Sequence, residues 1–231
     1  MYRYPQRLVK LQINNMTKIQ KDVPLKNHSN FKIGGPAKYF LEVFSKDDLP
    51  EGLKEWKEMS KDFSQNQKRI FVLGGGTNVL FSDDGFRGLV IKNSINSIEK
   101  VGEDVMIGAG TSISDLLNFC IDNKLSGLQW AGGLPGTVGG AVRGNAGAYG
   151  GETKDNIVSP ERMALHSLEE KIRTGKECNF DYRTSFFKKG IGENEIITFI
   201  KFKLFPGNSD EIKKIVDEKI NARKLRHPLE Y

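Results

Sequence analysis

Residues 132–151 read GGLPGTVGGAVRGNAGAYGG, and no other part of the chain restricts its interpretation as strongly. Glycine loses much conformational entropy on folding, so such a run weakens ordinary helices and strands. Pro135, Thr137 and Val138 stiffen this glycine-rich segment, and its near lack of charge distinguishes it from a solvated linker. Backbone without Cβ atoms can lie against a flat or phosphorylated ligand and direct N–H groups at it. The segment therefore favours a ligand-contacting wall, with buried turn-and-helix packing as the alternative.

Composition limits the class of protein. The chain has 231 residues, which fits one large domain or two small ones, and its hydrophobic content of 38% supports a folded core. A net charge of +6 favours anionic partners without separating a phosphorylated small molecule from nucleic acid. Cys120 and Cys178 form no C-x-x-C pair and the histidines lack metal-ligand spacing, so we predict no metal site. Because no apolar run suits a signal peptide or a membrane span, we expect a cytoplasmic protein without a membrane partner.

The first block, residues 22–93, predicts a strand–helix–strand α/β unit. Before it, residues 1–21 form a leader that we expect to be disordered, and Met16 is an alternative start to Met1. Strands are predicted over 38–44 and 69–73. Between them, Asp47 or Asp48 caps a helix whose apolar residues share one side: Leu49, Leu53 and Trp56.

The second block, residues 94–207, predicts an α+β unit. A strand over 104–108 precedes a helix capped by Ser112 or Ser114, and strict alternation predicts a long strand over 195–205. The charged residues 156–176 are typical of an exposed strand pair. The last segment, 208–231, opens with a helix that starts a further domain. Its basic residues would suit nucleic acid. They lie on the face opposite the apolar stripe, however, and acidic residues interrupt them, so we favour a solvent-exposed face that binds no nucleic acid.

A second glycine cluster, Gly74-Gly75-Gly76-Thr77-Asn78, follows the predicted strand over 69–73 and is called the glycine turn below. It is not a P-loop, because no Gly-Lys-Ser/Thr follows, and its contiguous glycines do not match G-x-G-x-x-G. Alone it would equally suit an ordinary tight turn. Together with the downstream glycine-rich segment, it suits a long cofactor with its pyrophosphate on one surface and a flat ring on the other.

A third cluster, residues 182–188, reads YRTSFFK. Arg183 between aromatic residues suits a carboxylate or phosphate in a partly dry site. The alternative is an arginine at a strand end in a surface ion pair. No paired carboxylates, metal cluster or Ser-His-Asp arrangement follows from the spacing.

These clusters together resemble the UDP-N-acetylenolpyruvoylglucosamine reductase family, in its shorter subclass. The matching motifs occur in family order and extend from about residue 22 to the end of the chain. They are NFKIGGPA at 30–37, LGGGTNVL at 73–80, GLPGTVGGAV at 133–142 with NAGAYG at 145–150, and YRTSFFK at 182–188. Thr77 stands where serine is usual and keeps the hydroxyl.

The resemblance implies an α+β, two-subdomain FAD-binding fold of the vanillyl-alcohol-oxidase type. FAD would lie extended between subdomains over 22–93 and 94–207. It also implies a flavoprotein oxidoreductase of peptidoglycan synthesis, and so of cell-wall biogenesis, cell shape and cell division. In that reaction NADPH reduces FAD, hydride passes to the enolpyruvyl double bond of a UDP-sugar, and protonation gives UDP-N-acetylmuramate.

The resemblance also assigns residues. Arg183 is the catalytic residue, and Tyr182 and Arg183 bind the substrate. The residues implied to bind the cofactor are Ile33, Gly74, Gly75, Gly76, Thr77, Asn78, Gly133, Pro135, Gly136, Thr137, Gly139, Gly140 and Ala141.

One departure from the family concerns the proton donor. After a stretch like 223–228, the family continues into a motif with a catalytic serine and then into a substrate domain that supplies a glutamate. This sequence ends at Tyr231, so we expect a separate or missing C-terminal substrate domain and a loss of about 10²–10⁴ in turnover by the chain alone. The alternative functions are a non-catalytic flavin-binding module or one half of a two-chain enzyme.

Overall fold

The computed structural model describes residues 18–189, 192 and 194–226. The chain folds as two compact units, the first ending at Ser94 and the second starting at Ile95. Each unit has its own sheet and its own buried core. None of the described helices is both long enough and apolar enough to cross a membrane.

The end of the predicted leader belongs to the first sheet. Strand β1 (Gln20–Pro24) pairs antiparallel with β2 (Pro36–Val43), with Gln20 opposite Phe40. Residues 20 and 21 are therefore ordered, because their backbone groups pair with those of a neighbouring strand. The disorder predicted for residues 1–17 and the alternative start at Met16 concern residues that lie outside the described part of the chain.

The first unit is built on parallel strands. β3 spans Ile70–Leu73 and β4 spans Phe86–Asn93. The sheet has the order β1-β2-β4-β3, in which β4 runs parallel to both β2 and β3. The glycine turn comes directly after β3, at the edge where the carboxyl ends of the parallel strands lie and where ligands of such sheets bind.

Helix α1 (Asp48–Met59) covers one face of this sheet and buries Leu49, Leu53 and Trp56, as their spacing predicts. The predicted side-chain cap is absent: Asp47 makes no cap hydrogen bond, and the Asp48 carboxylate instead accepts from the N–H groups of Phe44 and Ser45, which precede the helix, at 2.7 and 2.8 Å. On the opposite face an apolar cluster forms the rest of the core. It consists of Leu25, Ala37, Phe40, Leu73, Phe81 and Val90.

The second unit is built on an antiparallel sheet. Its strands are β5 (Ile98–Val101), β6 (Asp104–Gly108), β10 (Ile157–Ala164), β11 (Glu170–Ile172) and β12 (Glu195–Lys203). They lie in the order β11-β10-β12-β6-β5. Two short pairs complete the strands: β7 (Leu125–Ser126) with β13 (Phe205–Pro206), and β8 (Gly147–Ala148) with β9 (Gly151–Glu152). Helices packed with an antiparallel sheet confirm the predicted α+β class.

Three helices pack with this sheet: α2 (Ile113–Asp122), α3 (Val138–Gly144) and α4 (Ser209–Arg226). The Ser112 hydroxyl caps α2 by accepting from the N–H of Asp115 at 3.0 Å. The shared core includes Val105, Ile107, Leu116, Leu117, Val138, Val142, Ile200, Phe202, Ile212 and Val216. Since Ile212 and Val216 lie in this core, α4 is part of the second unit, whereas its sequence was interpreted as the start of a further domain.

The charged residues 156–176 form a strand pair, but only part of it is exposed. Arg162 of β10 is 4% exposed, and its Nε lies 3.3 Å from the Glu195 carboxylate of β12. Arg173 donates to the same carboxylate at 2.8 Å. The prediction of an exposed pair was therefore wrong for β10, because the buried Arg162 pairs with the buried Glu195 carboxylate, which it shares with the partly exposed Arg173.

Candidate functional site

Backbone packing fixes the shape of the glycine turn. Gly76 has a φ of +70°, and a Cβ atom there would overlap the carbonyl oxygen of His28. The N–H of Asn30 donates to the Gly76 carbonyl oxygen at 3.0 Å, and the Lys92 ammonium donates to that of Gly74. The segment before β2 and strand β4 thus hold the turn, and only glycine fits at position 76.

The glycine turn keeps unpaired donors. Within the described part of the chain, the backbone N–H groups of residues 75–78 have no acceptor. Successive N–H groups in a tight turn form an anion-binding concavity. Three apolar side chains before and after the turn are exposed: Phe31, Ile33 and Leu80, at 58%, 51% and 66%. This surface fits a ligand that combines phosphate with an apolar part.

Lys92 places a charge beside the glycine turn. The register of β2 with β4 sets Glu42 next to Lys92. Burial lowers the pKa of the Lys92 ammonium, and the charge of Glu42 opposes that shift. Burial, and then the charge of Lys92, also lower the pKa of His28, whose ring packs 4.7 Å from that of Phe40. A pKa below the ordinary value of 6.5 favours the neutral form of His28 at pH 7, and Lys92 is the basic side chain that donates to the turn.

Packing inside the second unit accounts for several glycines of the glycine-rich segment. A Cβ atom at Gly132 would lie 2.6 Å from the Val216 carbonyl oxygen, and one at Gly139 would lie 2.8 Å from the Ala109 Cβ. A Cβ atom at Gly151 would overlap the Trp130 ring. The alternative of turn-and-helix packing is therefore correct for these three positions, because each glycine allows a close approach within the protein.

The backbone N–H groups at the start of α3 also form hydrogen bonds within the protein. The N–H groups of Val138 and Gly139 donate to the carbonyl oxygens of Thr111 and Ala109 at 2.9 and 2.8 Å. The N–H of Gly140 faces the Thr137 hydroxyl at 3.4 Å. The expectation that the segment directs its N–H groups at a ligand was wrong for these three groups, since they satisfy the first turn of α3.

Other positions of the segment are open. A Cβ atom at Gly144 or Gly150 would meet no described atom within 4 Å, and one at Gly140 would meet only the Thr137 hydroxyl, at 3.5 Å. Thr137 and Ala141, both predicted to bind a cofactor, are buried at 9% and 8% exposure. The segment therefore combines positions required by packing with positions that leave room for a ligand.

The Tyr182–Arg183 pair forms the tip of a tight turn. The backbone groups of Asp181 and Thr184 exchange hydrogen bonds of 3.1 and 3.2 Å. Arg183 has a φ of +53°, a conformation that costs a non-glycine residue about 1 kcal/mol or more. The Lys188 ammonium donates to the Arg183 carbonyl oxygen at 2.8 Å. Backbone strain of this kind persists where neighbouring contacts enforce it, and it is frequent at functional sites.

This turn and the end of the glycine-rich segment line one pocket. The pocket has a volume of about 250 Å³, and Tyr182 at its edge is 77% exposed. Its lining is Gly147, Ala148, Gly150, Gly151, Glu152, Tyr182 and Arg183. The third sequence cluster therefore meets the glycine-rich segment within the second unit.

The pocket is lined by one acidic and one basic side chain, Glu152 and Arg183. Glu152 forms an ion pair of 2.6 Å with Lys154, and its carboxylate also accepts from the Asn145 amide at 3.1 Å. The hydrogen bond from Lys154, followed by that from Asn145, lowers the pKa of Glu152. Arg183 forms no ion pair with any carboxylate of the described residues. Its guanidinium is therefore available to an anion that enters the pocket.

Sequence reasoning missed the groups that support this pocket. Asn145 and Glu152 were not among the predicted site residues, and neither was Lys92 beside the glycine turn of the first unit. One signal was available for Asn145, because an Asn after a short helix favours a left-handed cap, and its φ is +41°. Nothing local indicates that Glu152 would approach Lys154 and Asn145. Over the described ranges, no group of three or more His, Cys, Asp or Glu side chains could hold a metal ion.

Comparisons with known proteins agree with a flavin site. A family model described as an FAD binding domain matches residues 48–163. A UDP-N-acetylenolpyruvoylglucosamine reductase of Geobacillus kaustophilus is 34% identical over 227 residues, which cover 98% of this chain and 70% of that protein. The enzyme of the same name from Staphylococcus aureus strain COL is 35% identical over 216 residues, which cover 93% of this chain and 66% of that protein.

A solved structure extends the similarity to the fold. The crystal structure of UDP-N-acetylenolpyruvylglucosamine reductase from Thermus caldophilus matches with a TM-score of 0.71 and 30% sequence identity. The match covers 90% of this chain and 70% of that chain. It therefore extends over both units and bears out the two-subdomain FAD-binding fold that the motifs predict.

Proposed function

The chain belongs to the UDP-N-acetylenolpyruvoylglucosamine reductase family, and we propose that it binds FAD and uses NADPH to reduce UDP-N-acetylenolpyruvoylglucosamine to UDP-N-acetylmuramate. This reaction supplies a precursor of peptidoglycan and so serves cell-wall synthesis. The observation that carries the proposal is the pocket in which the unpaired Arg183 meets the glycine-rich segment. The chain spans 66–70% of the length of the relatives described above, so the two half-reactions are best tested separately.

The residues fit FAD. The unpaired N–H groups of residues 75–78, next to the charge of Lys92, suit its pyrophosphate, and the exposed Ile33 suits an apolar part. Gly140 and Gly144 have space where other residues carry a Cβ atom, so they suit a flat ring that approaches the backbone. Once bound, FAD supplies hydride transfer from NADPH to the substrate double bond.

Arg183 would bind the enolpyruvyl carboxylate. A guanidinium pairs with a carboxylate through two parallel hydrogen bonds, and its fixed charge stabilises the negative charge that develops next to the reduced carbon. Tyr182, at the edge of the same pocket, would contact the sugar. The Glu152 carboxylate is bonded to Lys154 and Asn145 and interacts with Arg183 only at longer range, so the guanidinium can pair with the substrate carboxylate.

The first experiment is the visible absorption of the purified chain. A flavin spectrum that bleaches when NADPH is added without oxygen is the expected result. Addition of UDP-N-acetylenolpyruvoylglucosamine should then restore the oxidised spectrum in a single turnover. A colourless protein that takes up no added FAD would contradict the proposal. A bound flavin that NADPH cannot reduce would instead indicate a non-catalytic flavin-binding module.

Arg183→Asn tests the second half-reaction. Asn tolerates the left-handed backbone at this position and removes the charge. The variant should keep its flavin and its reduction by NADPH, while reoxidation by the UDP-sugar slows by about 10²–10³. Arg143→Asn, at an exposed position of α3, is the matched control and should behave as wild type. Equal reoxidation by the two variants would remove Arg183 from the proposed mechanism.

A further inference from the structure

We propose that Asn145 is a positioning residue for Arg183, with Ser185 as its second support. This inference rests on the proposed role of Arg183 in binding the substrate carboxylate. Asn145 touches neither the reacting atoms nor the cofactor in this proposal. It acts by holding the Tyr182–Arg183 turn at the wall of the pocket.

Asn145 lies between the two parts of the pocket. Its side chain is fully buried, and it follows the last turn of α3. The amide nitrogen donates to the Asp181 carbonyl oxygen at 3.0 Å and to the Glu152 carboxylate at 3.1 Å. The amide oxygen accepts from the N–H of Lys154 at 3.1 Å. One side chain thus uses both donors and its acceptor to join the Arg183 turn to the β9 end of the glycine-rich segment.

Ser185 attaches the other side of the same turn. It is 2% exposed, and its hydroxyl donates to the Arg143 carbonyl oxygen at 2.7 Å. The residues on both sides of the Tyr182–Arg183 pair are therefore tied to residues 143–145. The start of α3 is in turn fixed by the hydrogen bonds of Val138 and Gly139 to Thr111 and Ala109. A continuous path of hydrogen bonds and helix thus leads from the end of β6 to the Arg183 turn.

The turn depends on these attachments. Apart from the reciprocal hydrogen bonds of Asp181 and Thr184, it has only two exposed ones among the described residues, from the Tyr182 N–H to the Asp181 carboxylate and from the Lys188 ammonium to the Arg183 carbonyl oxygen. The left-handed backbone at Arg183 opposes the conformation. Without the two attachments the turn would relax toward less strained conformations and carry the guanidinium away from the pocket. A displacement of about 1 Å from a productive position can cost about 10² in rate, so a remote support of this kind affects the chemistry.

Asn145 also keeps the charge of Arg183 available. Because Asn145 and Lys154 hold Glu152, that carboxylate forms no ion pair with Arg183. If the amide were removed, only the Lys154 ion pair would hold Glu152, and the carboxylate could move toward the guanidinium and compete with an anionic substrate. Both consequences weaken the binding of a carboxylate-bearing UDP-sugar.

The test uses the full chain loaded with FAD. Asn145→Gly removes the side chain while glycine retains the left-handed backbone without strain. Asn179→Gly is the matched control, because Asn179 also has a positive φ, +43°, but is exposed and makes no side-chain hydrogen bond to a described residue. Hydrogen exchange at the amides of Asp181 and Thr184 should rise about tenfold in Asn145→Gly and stay at the wild-type rate in the control.

Substrate affinity separates positioning from a general structural role. With flavin content unchanged, Asn145→Gly should raise the dissociation constant of the UDP-sugar about tenfold, measured by its perturbation of the flavin spectrum. In an Arg183→Asn background the same substitution should have no further effect. An equal loss in both backgrounds, or turn amides that exchange as in wild type, would overturn the proposal.

Ser185→Ala keeps the proposal testable if Asn145→Gly does not fold. It removes the second attachment and leaves Glu152 in place, so it should raise hydrogen exchange at the amide of Thr184. It should also weaken the binding of the UDP-sugar where Arg183 is present, but not in the Arg183→Asn protein. A wild-type chain that binds FAD but not the UDP-sugar would refute the proposed function. The hydrogen-exchange result would still show whether Asn145 holds the turn.

Discussion

The glycine turn of the first unit and the glycine-rich segment of the second contain similar residues for different reasons. At Gly76 a backbone carbonyl occupies the place of a side chain, and the N–H groups beside it have no acceptor among the described residues. At Gly139 a protein methyl group occupies that place, and the N–H is already paired. Glycine content therefore does not by itself indicate a ligand. The destination of the neighbouring N–H groups separates a binding turn from a packing contact.

The largest effect is expected for Gly76→Ala. The substitution combines a positive φ with an overlap on the His28 carbonyl oxygen, and it should destabilise the first unit by at least about 3 kcal/mol. Gly102→Ala is the control, since Gly102 has a φ of +64° but no described atom within 4 Å, and it should cost about 1 kcal/mol. Urea unfolding measures both. Equal costs would mean that the backbone contact at Gly76 is unimportant.

An intermediate effect is expected for Gly139→Ala. The added methyl group would lie 2.8 Å from the Ala109 Cβ and 3.0 Å from its carbonyl oxygen, so the variant should lose about 1–3 kcal/mol without FAD present. The same measurement on Gly144→Ala should show no loss and a gain of up to about 1 kcal/mol, because alanine favours a helix. A stable Gly139→Ala protein would show that α3 can shift away from Ala109.

Gly140→Ala distinguishes ligand contact from packing. A Cβ atom there meets only the Thr137 hydroxyl, at an ordinary distance of 3.5 Å, so the stability of the FAD-free protein should not fall. If the open face of α3 contacts FAD, its dissociation constant should rise about tenfold, which corresponds to about 1.4 kcal/mol. Titration of the FAD-free protein by flavin fluorescence gives this constant. An unchanged value would limit this part of the segment to packing.

The smallest effect concerns the pH dependence of the pocket. The Lys154 ammonium holds the pKa of Glu152 below its ordinary value of 4.5, so the unfolded state binds more protons in acid. The resulting stabilisation is present above about pH 5 and is lost as the pH falls through the folded pKa. Between pH 6 and pH 3.5 the free energy of unfolding should therefore fall less in Glu152→Gln than in wild type. Urea unfolding at each pH measures this difference. Glu103→Gln, at an exposed position before β6, should follow wild type.

Elements with a strong local pattern were predictable. The apolar spacing of Leu49, Leu53 and Trp56 predicted α1, and the alternation from Ile196 to Leu204 predicted β12. The family motifs also led to the fold class and to FAD. β5 was missed because its four residues are half-exposed or exposed and lack a clear alternation. The buried position of Arg162 was missed because its compensating carboxylate, Glu195, lies on another strand.

The candidate site was predictable as a set of residues but not as an arrangement. The motifs selected Tyr182, Arg183 and both glycine regions, and their roles in binding remain predictions. Sequence patterns gave no means of separating Gly139, which packs on Ala109, from Gly144, which faces open space. The predicted site residues also omitted Asn145, although it opens one of the motifs, because its partner Asp181 is 36 residues away.

The amino-acid sequence by itself determined the helices α1, α2 and α4, the main strands, the glycine turn and the family, but not helix α3. These depend on caps, periodicity and motifs that act over a few residues. Only the tertiary structure determined which glycines serve packing, which N–H groups remain free, and how Asn145 joins α3 to the Arg183 turn. Such contacts join residues far apart in the chain, so they depend on the path of the whole backbone and not on local preference.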